Sequence, residues 1–256
     1  MSGTIENTPV ESYQGYYGKA PSHGDFLSKG LPRSFRDPWD IWLQSVLSAS
    51  RADLAESWGD HYLTCPAYHF ALSPGICGRQ SWIGVMIPSV DQVGRYYPMT
   101  LCRSLPGHSD LFSVAREYKQ WFEQAEPIVL SCLYESFSLE DFDSNIESLT
   151  LPSDNDGAGD DTTNLQRTVQ EHTKNAWRTT ALNPSQHQIY APLLNAVLKK
   201  HNLSYSLFWT SGSDAMLPST VMSQGLPPID GASAFLDGNW DKWGWGNHRM
   251  MDCYIT

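Results

Sequence analysis

Hydrophobic residues recur at helical spacing in the first long patterned stretch of the chain. Trp42 and Leu43 lie three and four residues after Trp39, Val46 lies four and three residues after them, and this spacing continues to about Leu54. Residues spaced in this way share one face of an α-helix. We therefore expect an amphipathic helix that packs its apolar face on a sheet or on another helix.

The start of this helix is predicted at Asp37-Pro38. An Asp side chain can cap a helix by accepting a backbone N–H, and Pro suits the first helical position, where its missing N–H has no helical partner. Asp40 then complements the positive end of the helix dipole.

Shorter runs with strand character surround this helix. They are rich in aromatic and β-branched residues, and Gly, Pro and Asp separate the later ones. In the first half of the chain the predicted strands are residues 13–18, 67–72, 81–87 and 95–102. Because the last three follow one another through short loops, we expect them to be antiparallel neighbours.

Helical spacing returns after residue 110. It runs to Pro127, which should kink or end the helix before the pattern continues to residue 134. Ser138 begins a capping-box sequence for a short helix that ends at Leu149. Further along, we predict helices over residues 165–182, 189–198 and near 232–236, and strands over 203–210 and 219–223.

A linker is predicted over residues 152–163, which read PSDNDGAGDDTT. We divide the chain there into an N-terminal α+β domain, residues 1–150, and a smaller α/β region, residues 151–256, which either stands apart or packs on the first as one unit. Consecutive strands before a long helical pattern indicate an α+β fold, with a mostly antiparallel central sheet flanked by helices on one or both faces. A doubly wound α/β sandwich is the alternative.

Acidic residues are concentrated in one region of the chain. Between Gln120 and Gln166 there are eleven Asp and Glu and no Lys or Arg, and the whole chain carries a formal net charge of −11. This charge disfavours binding to nucleic acid, whose phosphates it repels. The acidic region is either a solvated face or a docking surface for a basic partner.

The N-terminus has no basic leader, and no apolar run is long enough to span a membrane, so we expect a cytoplasmic protein without membrane insertion. The five cysteines are scattered without a C-x-x-C pair, which favours reduced thiols and argues against a zinc site. Phosphate-binding loops, dinucleotide-binding glycine motifs and the G-x-S-x-G nucleophile elbow are absent from the sequence. We therefore expect no cofactor, no metal and no enzymatic activity.

Two loops carry the candidate functional residues. His23 and Asp25 flank a glycine, and together with another histidine such as His69 they could form an acid–base pair or a metal site. The alternative is an ordinary turn in which His23 lies in solvent. Asp91 and Arg95 can close their own loop as an ion pair. Near the C-terminus, a cluster containing Trp240, Trp243 and Trp245 either seals the core or presents an exposed hot spot.

Several segments in the first 105 residues together resemble the TagF family of type VI secretion-associated proteins. The N-terminal segments are Gly18-Lys19-x-Pro21-x-x-Gly24-Asp25-Phe26, Leu31-Pro32-x-x-Phe35 and Trp39-Asp40-x-Trp42-Leu43-Gln44. The following ones are Ser73-Pro74-Gly75, Trp82-x-Gly84-Val85 and Pro88-Ser89-Val90-Asp91-x-Val93-Gly94-Arg95-x-x-Pro98. Later segments, Ser206-Leu207-x-Trp209-Thr210-x-Gly212 and Gly225-Leu226-Pro227-Pro228, are similar to its more variable C-terminal part.

This resemblance implies a cytoplasmic accessory protein that restrains type VI secretion after translation, with an FHA-domain protein of the machine as the partner held back. We predict that Lys19, His23, Asp25, Asp91 and Arg95 bind this partner. The alternatives are a structural assembly or adaptor protein of the secretion machine and a hydrolase that uses His23 and Asp25.

Overall fold

The computed structural model of the protein describes residues 11–105, 110–151, 170–172, 176–178, 190–201 and 203–245. Its centre is a seven-stranded sheet with the order β2-β1-β5-β4-β3-β8-β9, and a separate hairpin is formed by β6 and β7. The strands are β1 (Gln14–Gly18), β2 (Leu27–Lys29), β3 (Tyr68–Leu72), β4 (Ser81–Ile87), β5 (Met99–Leu105), β6 (Gln170–His172), β7 (Ala176–Arg178), β8 (Tyr205–Thr210) and β9 (Ser219–Gln224). Every neighbouring pair is antiparallel. The α+β prediction is confirmed, and the doubly wound alternative, which requires parallel strands, is excluded for this sheet.

Helices flank the sheet. They are α1 (Arg33–Leu54), α2 (Trp58–Thr64), α3 (Leu111–Glu117), α4 (Lys119–Leu130), α5 (Leu139–Ser148), α6 (Tyr190–Lys200) and α7 (Ala234–Asp237). Short 3₁₀ turns occupy Ala55–Ser57, Ser131–Leu133, Ile229–Gly231 and Asp241–Trp243. Within the described ranges, no helix has both the length and the apolar character needed to cross a bilayer.

The central strands of the sheet are buried on both faces. In β4, Ile83 and Val85 point into the core that contains residues of α3, α4 and α5, whereas Trp82 points into the core beneath α1. Alternate side chains of a strand face opposite sides of a sheet, so a strand covered on both sides is apolar at nearly every position. This explains why β4 reads as an almost continuous hydrophobic run.

The helix predicted to start at Asp37-Pro38 begins earlier, at Arg33, so its predicted start is wrong. Pro38 lies inside α1, and Pro32 occupies the capping position without a side-chain hydrogen bond. Phe35 is completely buried, with its ring centroid 4.4 Å from that of Trp82. The burial of Phe35 stabilises the extra turn and outweighs the local signals at Asp37 and Pro38.

Two other boundaries in the first half also differ from their predictions. The third of the consecutive strands starts at Met99 instead of Arg95, because hydrogen bonds within the preceding loop hold residues 91–95 away from the ladder. The helix after residue 110 breaks at Tyr118 and not at Pro127. Pro127 lies inside α4, close to the C-terminal end of that helix, so few helical hydrogen bonds come after the proline. The cap at Ser138 is confirmed, because its hydroxyl accepts a hydrogen bond from the N–H of Asp141 at 3.3 Å.

In the second half, the helix predicted over residues 165–182 is wrong where the structure describes it. Residues 170–172 and 176–178 pair as an antiparallel hairpin, and the rest of that range lies outside the described residues. A polar segment gains little from packing as a helix, because it has no apolar face to bury. In the hairpin, its backbone N–H and C=O groups pair with those of the neighbouring strand. The helix predicted over 189–198 and the strands over 203–210 and 219–223 are confirmed as α6, β8 and β9, and α7 corresponds to the helix near 232–236.

The predicted linker, residues 152–163, lies outside the described residues. Beyond it, β8 pairs with β3, so residues 205–224 belong to the same sheet as the N-terminal strands. The division of the chain at residue 150 itself stays a prediction.

The C-terminal tryptophans pack on the protein's own core, which confirms the sealing interpretation for Trp240 and Trp245. Their rings lie 5.3 and 6.2 Å from that of Phe235, and the Trp245 indole donates to the carbonyl of Gly231 at 2.8 Å. Trp243 donates to the Asp237 carboxylate at 2.7 Å. Sequence reasoning missed two short elements, β2 and α2, although the i, i+4 pair Trp58 and Tyr62 was a signal for α2.

Candidate functional site

Two loops meet at one end of the sheet. The first follows β1 and the second joins β4 to β5. Both start at the same end because β1 and β4 each run antiparallel to β5, with Tyr17 opposite Thr100 and Ile87 opposite Met99. The topology therefore brings together the two segments that carry the predicted site residues.

The carboxylate of Asp91 is the centre of this contact. Its Oδ2 accepts from Lys19 Nζ at 2.5 Å and from Arg95 Nε at 2.6 Å. Its Oδ1 accepts from the backbone N–H groups of Val93 at 3.1 Å and Arg95 at 2.8 Å. The Asp91 side chain is fully buried, and that of Lys19 is 7% exposed. The predicted ion pair between Asp91 and Arg95 is confirmed, and Lys19 is a second cation on the same oxygen.

The four donors determine the charge of the Asp91 carboxyl. Burial alone would raise its pKa, because it disfavours the charged form. The hydrogen bonds from Lys19, from the backbone and guanidinium of Arg95 and from the N–H of Val93 outweigh burial, so the pKa is held well below its ordinary value. The loops are therefore joined by a permanently ionised carboxylate at neutral pH.

A second set of hydrogen bonds joins the same loops. The Ser89 hydroxyl donates to the carbonyl of Lys19 at 2.7 Å, the N–H of Gln92 donates to the carbonyl of His23 at 3.0 Å, and Arg95 Nη2 donates to the carbonyl of Gly24 at 2.5 Å. Each of these bonds crosses from one loop to the other. The two loops therefore form one braced unit.

Glycine is required in the second loop for conformational reasons. Gly94 has a φ of 81°, a left-handed conformation that other residues adopt only with strain. Its N–H donates to the carbonyl of Asp91 at 2.9 Å, which closes the turn. The spacing from Asp91 through Gly94 to Arg95 thus encodes a turn in which the carboxylate can accept from the two N–H groups of Val93 and Arg95.

The five predicted site residues fall into two groups. Lys19 and Asp91 are buried and bonded to each other. Asp25 is exposed, His23 is half-buried with its ring 5.8 Å from that of Phe137, and the Arg95 side chain is 61% exposed. Only the second group can touch another molecule without opening the loops.

Apolar residues at this end of the molecule are also exposed, and sequence reasoning missed them. Val93, at the tip of the second loop, is 71% exposed, and Phe26, beside Lys19, is 43% exposed. Leu133 and Tyr134 belong to the segment that leads to Phe137, the ring neighbour of His23, and both are exposed. We call His23, Asp25, Phe26, Val93 and Arg95 the loop surface.

The structure does not bring His69 to His23 and Asp25. His69 lies on β3, separated from β1 by two strands, and its ring packs against Phe122 at 5.2 Å and Trp209 at 5.6 Å. In the described part of the chain, no three His, Cys, Asp or Glu side chains are grouped to hold a metal ion.

An apolar cavity of about 40 Å³ lies between α1, α2 and α7, with Val46, Tyr62 and Phe235 among its lining residues. Sites for small-molecule ligands usually enclose about 300 Å³ or more. This cavity is therefore a gap in the packing of the core and is too small for a metabolite.

Comparison with known proteins identifies the class of the chain. The family described as TagF N-terminal domain, type VI secretion system-associated, matches residues 15–149. The crystal structure of PA0076 from Pseudomonas aeruginosa PAO1 is similar with a TM-score of 0.72 and 35% sequence identity, over 88% of this chain and 94% of that one. A search of curated protein sequences gives no match.

The family match includes both loops and the two helices between them, α1 and α2. The chain is therefore a type VI secretion-associated protein, and its family is TagF. Its role is that of an accessory to this secretion system.

Proposed function

We propose that this protein is a non-enzymatic negative regulator of type VI secretion, which acts in the cytoplasm by binding an FHA-domain protein of the secretion machine. The loop surface makes the contact, so that the bound partner is withheld from assembly. Such a regulator needs a surface that competes with assembly contacts and needs no turnover.

One observation supports this proposal above the others. The two loops that carry the family's signature are braced against each other, and they present charged and apolar side chains to solvent at one end of the sheet. Functional residues are commonly found on loops that a rigid scaffold positions. Exposed apolar residues surrounded by polar ones are typical of protein interfaces.

Binding to the purified FHA-domain protein of the same secretion system tests this proposal. We expect the wild-type protein to bind, and Asp25→Lys to weaken binding, because it reverses an exposed charge on the loop surface. The matched control is Thr220→Lys, an exposed position on β9 at the sheet edge remote from β1. Absence of binding by the folded wild-type protein would contradict the proposal, as would equal affinity of both variants and the wild type.

The hydrolase alternative has a separate test. In the native host, the double variant His23→Ala/Asp25→Asn removes both proposed catalytic groups and leaves Phe26, Val93 and Arg95 in place. Because both residues also belong to the loop surface, a regulator that acts by binding should lose restraint of secretion in this variant only in proportion to its loss of binding. Complete loss of restraint, with binding unchanged, would favour the enzyme.

A further inference from the structure

Exposure changes sharply over five residues of the second loop. Asp91 has a fully buried side chain, whereas Val93 is 71% exposed and the Arg95 side chain is 61% exposed. A partner protein can touch Val93 and Arg95 directly. It cannot reach the carboxylate of Asp91 unless the turn opens.

The conformation of this turn depends on that carboxylate. Residues 91–95 do not pair with a strand of the sheet. Within this turn, the backbone hydrogen bonds are those from the N–H of Asp91 to the carbonyl of Arg95 and from the N–H of Gly94 to the carbonyl of Asp91. Asp91 adds two bonds to the N–H groups of Val93 and Arg95, and Lys19 fixes the carboxylate to the other loop. A carboxylate has about four acceptor positions, and all of them are used here.

Holding a binding segment in its bound conformation raises affinity, because less conformational freedom is lost on association. The residue at the tip suits this arrangement, since valine is stiff about χ1 and loses little side-chain entropy when it is buried. On the basis of the proposed function, we propose that Lys19 and Asp91 are positioning residues, whose buried ion pair holds Val93 and Arg95 in the conformation that the partner binds.

Val93 and Arg95 then make the contact with the partner, Val93 with its apolar side chain and Arg95 with its positive charge. The partner surface that fits them combines an apolar pocket with an acidic rim. Lys19 and Asp91, although they belong to the family signature, act on the partner only through this turn.

Titration of this protein and its variants with the same FHA-domain protein tests the assignment. We expect Asp91→Asn to weaken binding by about tenfold or more, because only a fraction of molecules then has the competent turn. Val93→Asp should abolish the apolar contact without affecting the turn. In the Val93→Asp background, Asp91→Asn should have little further effect, whereas a residue that acts through general stability would weaken binding equally in both backgrounds.

Hydrogen exchange of the free protein gives a second readout. The N–H groups of Val93 and Arg95 should exchange faster in Asp91→Asn and in Lys19→Met, and addition of the partner should restore their protection in both. The matched control is Thr220→Ala on β9, which should change neither readout.

The two proposals fail in different ways. If the wild type does not bind the FHA-domain protein, the proposed function is contradicted and the positioning role falls with it. If the wild type binds, but Asp91→Asn binds equally well or keeps these two N–H groups protected, the positioning role alone is contradicted.

Discussion

Two ionisable groups, the buried carboxylate of Asp91 and the partly buried imidazole of His69, differ in the hydrogen bonds that they make. The Asp91 carboxylate lies between two loops and accepts four hydrogen bonds, two of them from cations. The His69 imidazole lies between β3 and α4, where its Nε2 is 2.7 Å from Glu126 Oε2 but is not aligned for a hydrogen bond. Among the described residues, His69 Nδ1 has no hydrogen-bond partner.

Burial disfavours the charged form of both groups, but it is outweighed at only one of them. Donors compensate for the burial of Asp91, so its charged form is favoured and its pKa falls. Burial dominates at His69 and lowers its pKa, although the charge of Glu126 partly opposes this effect. A short distance between opposite charges is thus a weaker guide to their interaction than the number of aligned donors.

The largest effect on stability is expected when Lys19 is changed to Met. The substitution keeps most of the side-chain volume but removes one of the two cations from a buried carboxylate. We expect the free energy of unfolding to fall by about 2 kcal/mol, less than for a completely broken buried pair, because Arg95 remains. Urea unfolding monitored by tryptophan fluorescence measures this change.

The matched control for this prediction is Lys29→Met. Lys29 also contacts two carboxylates, those of Asp143 and Glu147, but its side chain is 49% exposed. Ion pairs at the surface are screened by water and contribute little. If both variants lose the same stability, burial does not distinguish the two sites.

The two cationic partners of Asp91 show which contacts could be predicted from the sequence and which could not. The pair Asp91 and Arg95 is four residues apart with a glycine between them, so a closed loop could be predicted. Lys19 is 72 residues away from Asp91, and only the sheet topology brings them together. The role of Lys19 as a buried partner therefore could not be predicted from local spacing.

Element types were predicted better than their boundaries for a similar reason. The central strands were predicted because runs of aromatic and β-branched residues, and the turn residues between them, are local signals. The start of α1 was wrong because Phe35 is stabilised by Trp82, a contact that no local rule contains. Asp40, which was expected to complement the helix dipole, instead accepts hydrogen bonds from the hydroxyls of Tyr17 and Tyr97.

The second prediction concerns stability in acid. The pKa of Asp91 is lower in the folded protein than its ordinary value of 3.8, so its contribution is complete above that value and is lost as the pH falls below it. In Asp91→Asn this loss should disappear. The free energy of unfolding, measured with urea at a series of pH values from about 5 downward, should fall less steeply with decreasing pH in the variant than in the wild type. Parallel slopes would contradict the role assigned to this carboxylate.

The third prediction concerns His69 and a higher pH range. Its pKa is lower in the folded protein than the ordinary 6.5, so the unfolded chain binds more protons and stability decreases as the pH falls through that value. His69→Phe keeps an aromatic ring against Phe122 and Trp209 but cannot be protonated. We expect the dependence of the free energy of unfolding on pH, between about 7 and 5, to be shallower in the variant. An unchanged dependence would show that another group titrates there.

The smallest effect is expected for Glu126→Gln. Glu126 is 37% exposed, and its contact with His69 is close but not aligned, so its removal should change the free energy of unfolding by no more than about 0.5 kcal/mol. The imidazole should nevertheless respond, because Glu126 raises the pKa of His69 against the effect of burial. We expect the pKa of His69, measured by NMR titration, to fall further in Glu126→Gln. A large loss of stability instead would mean that His69 is charged and paired in the folded protein, and the contrast with Asp91 would disappear.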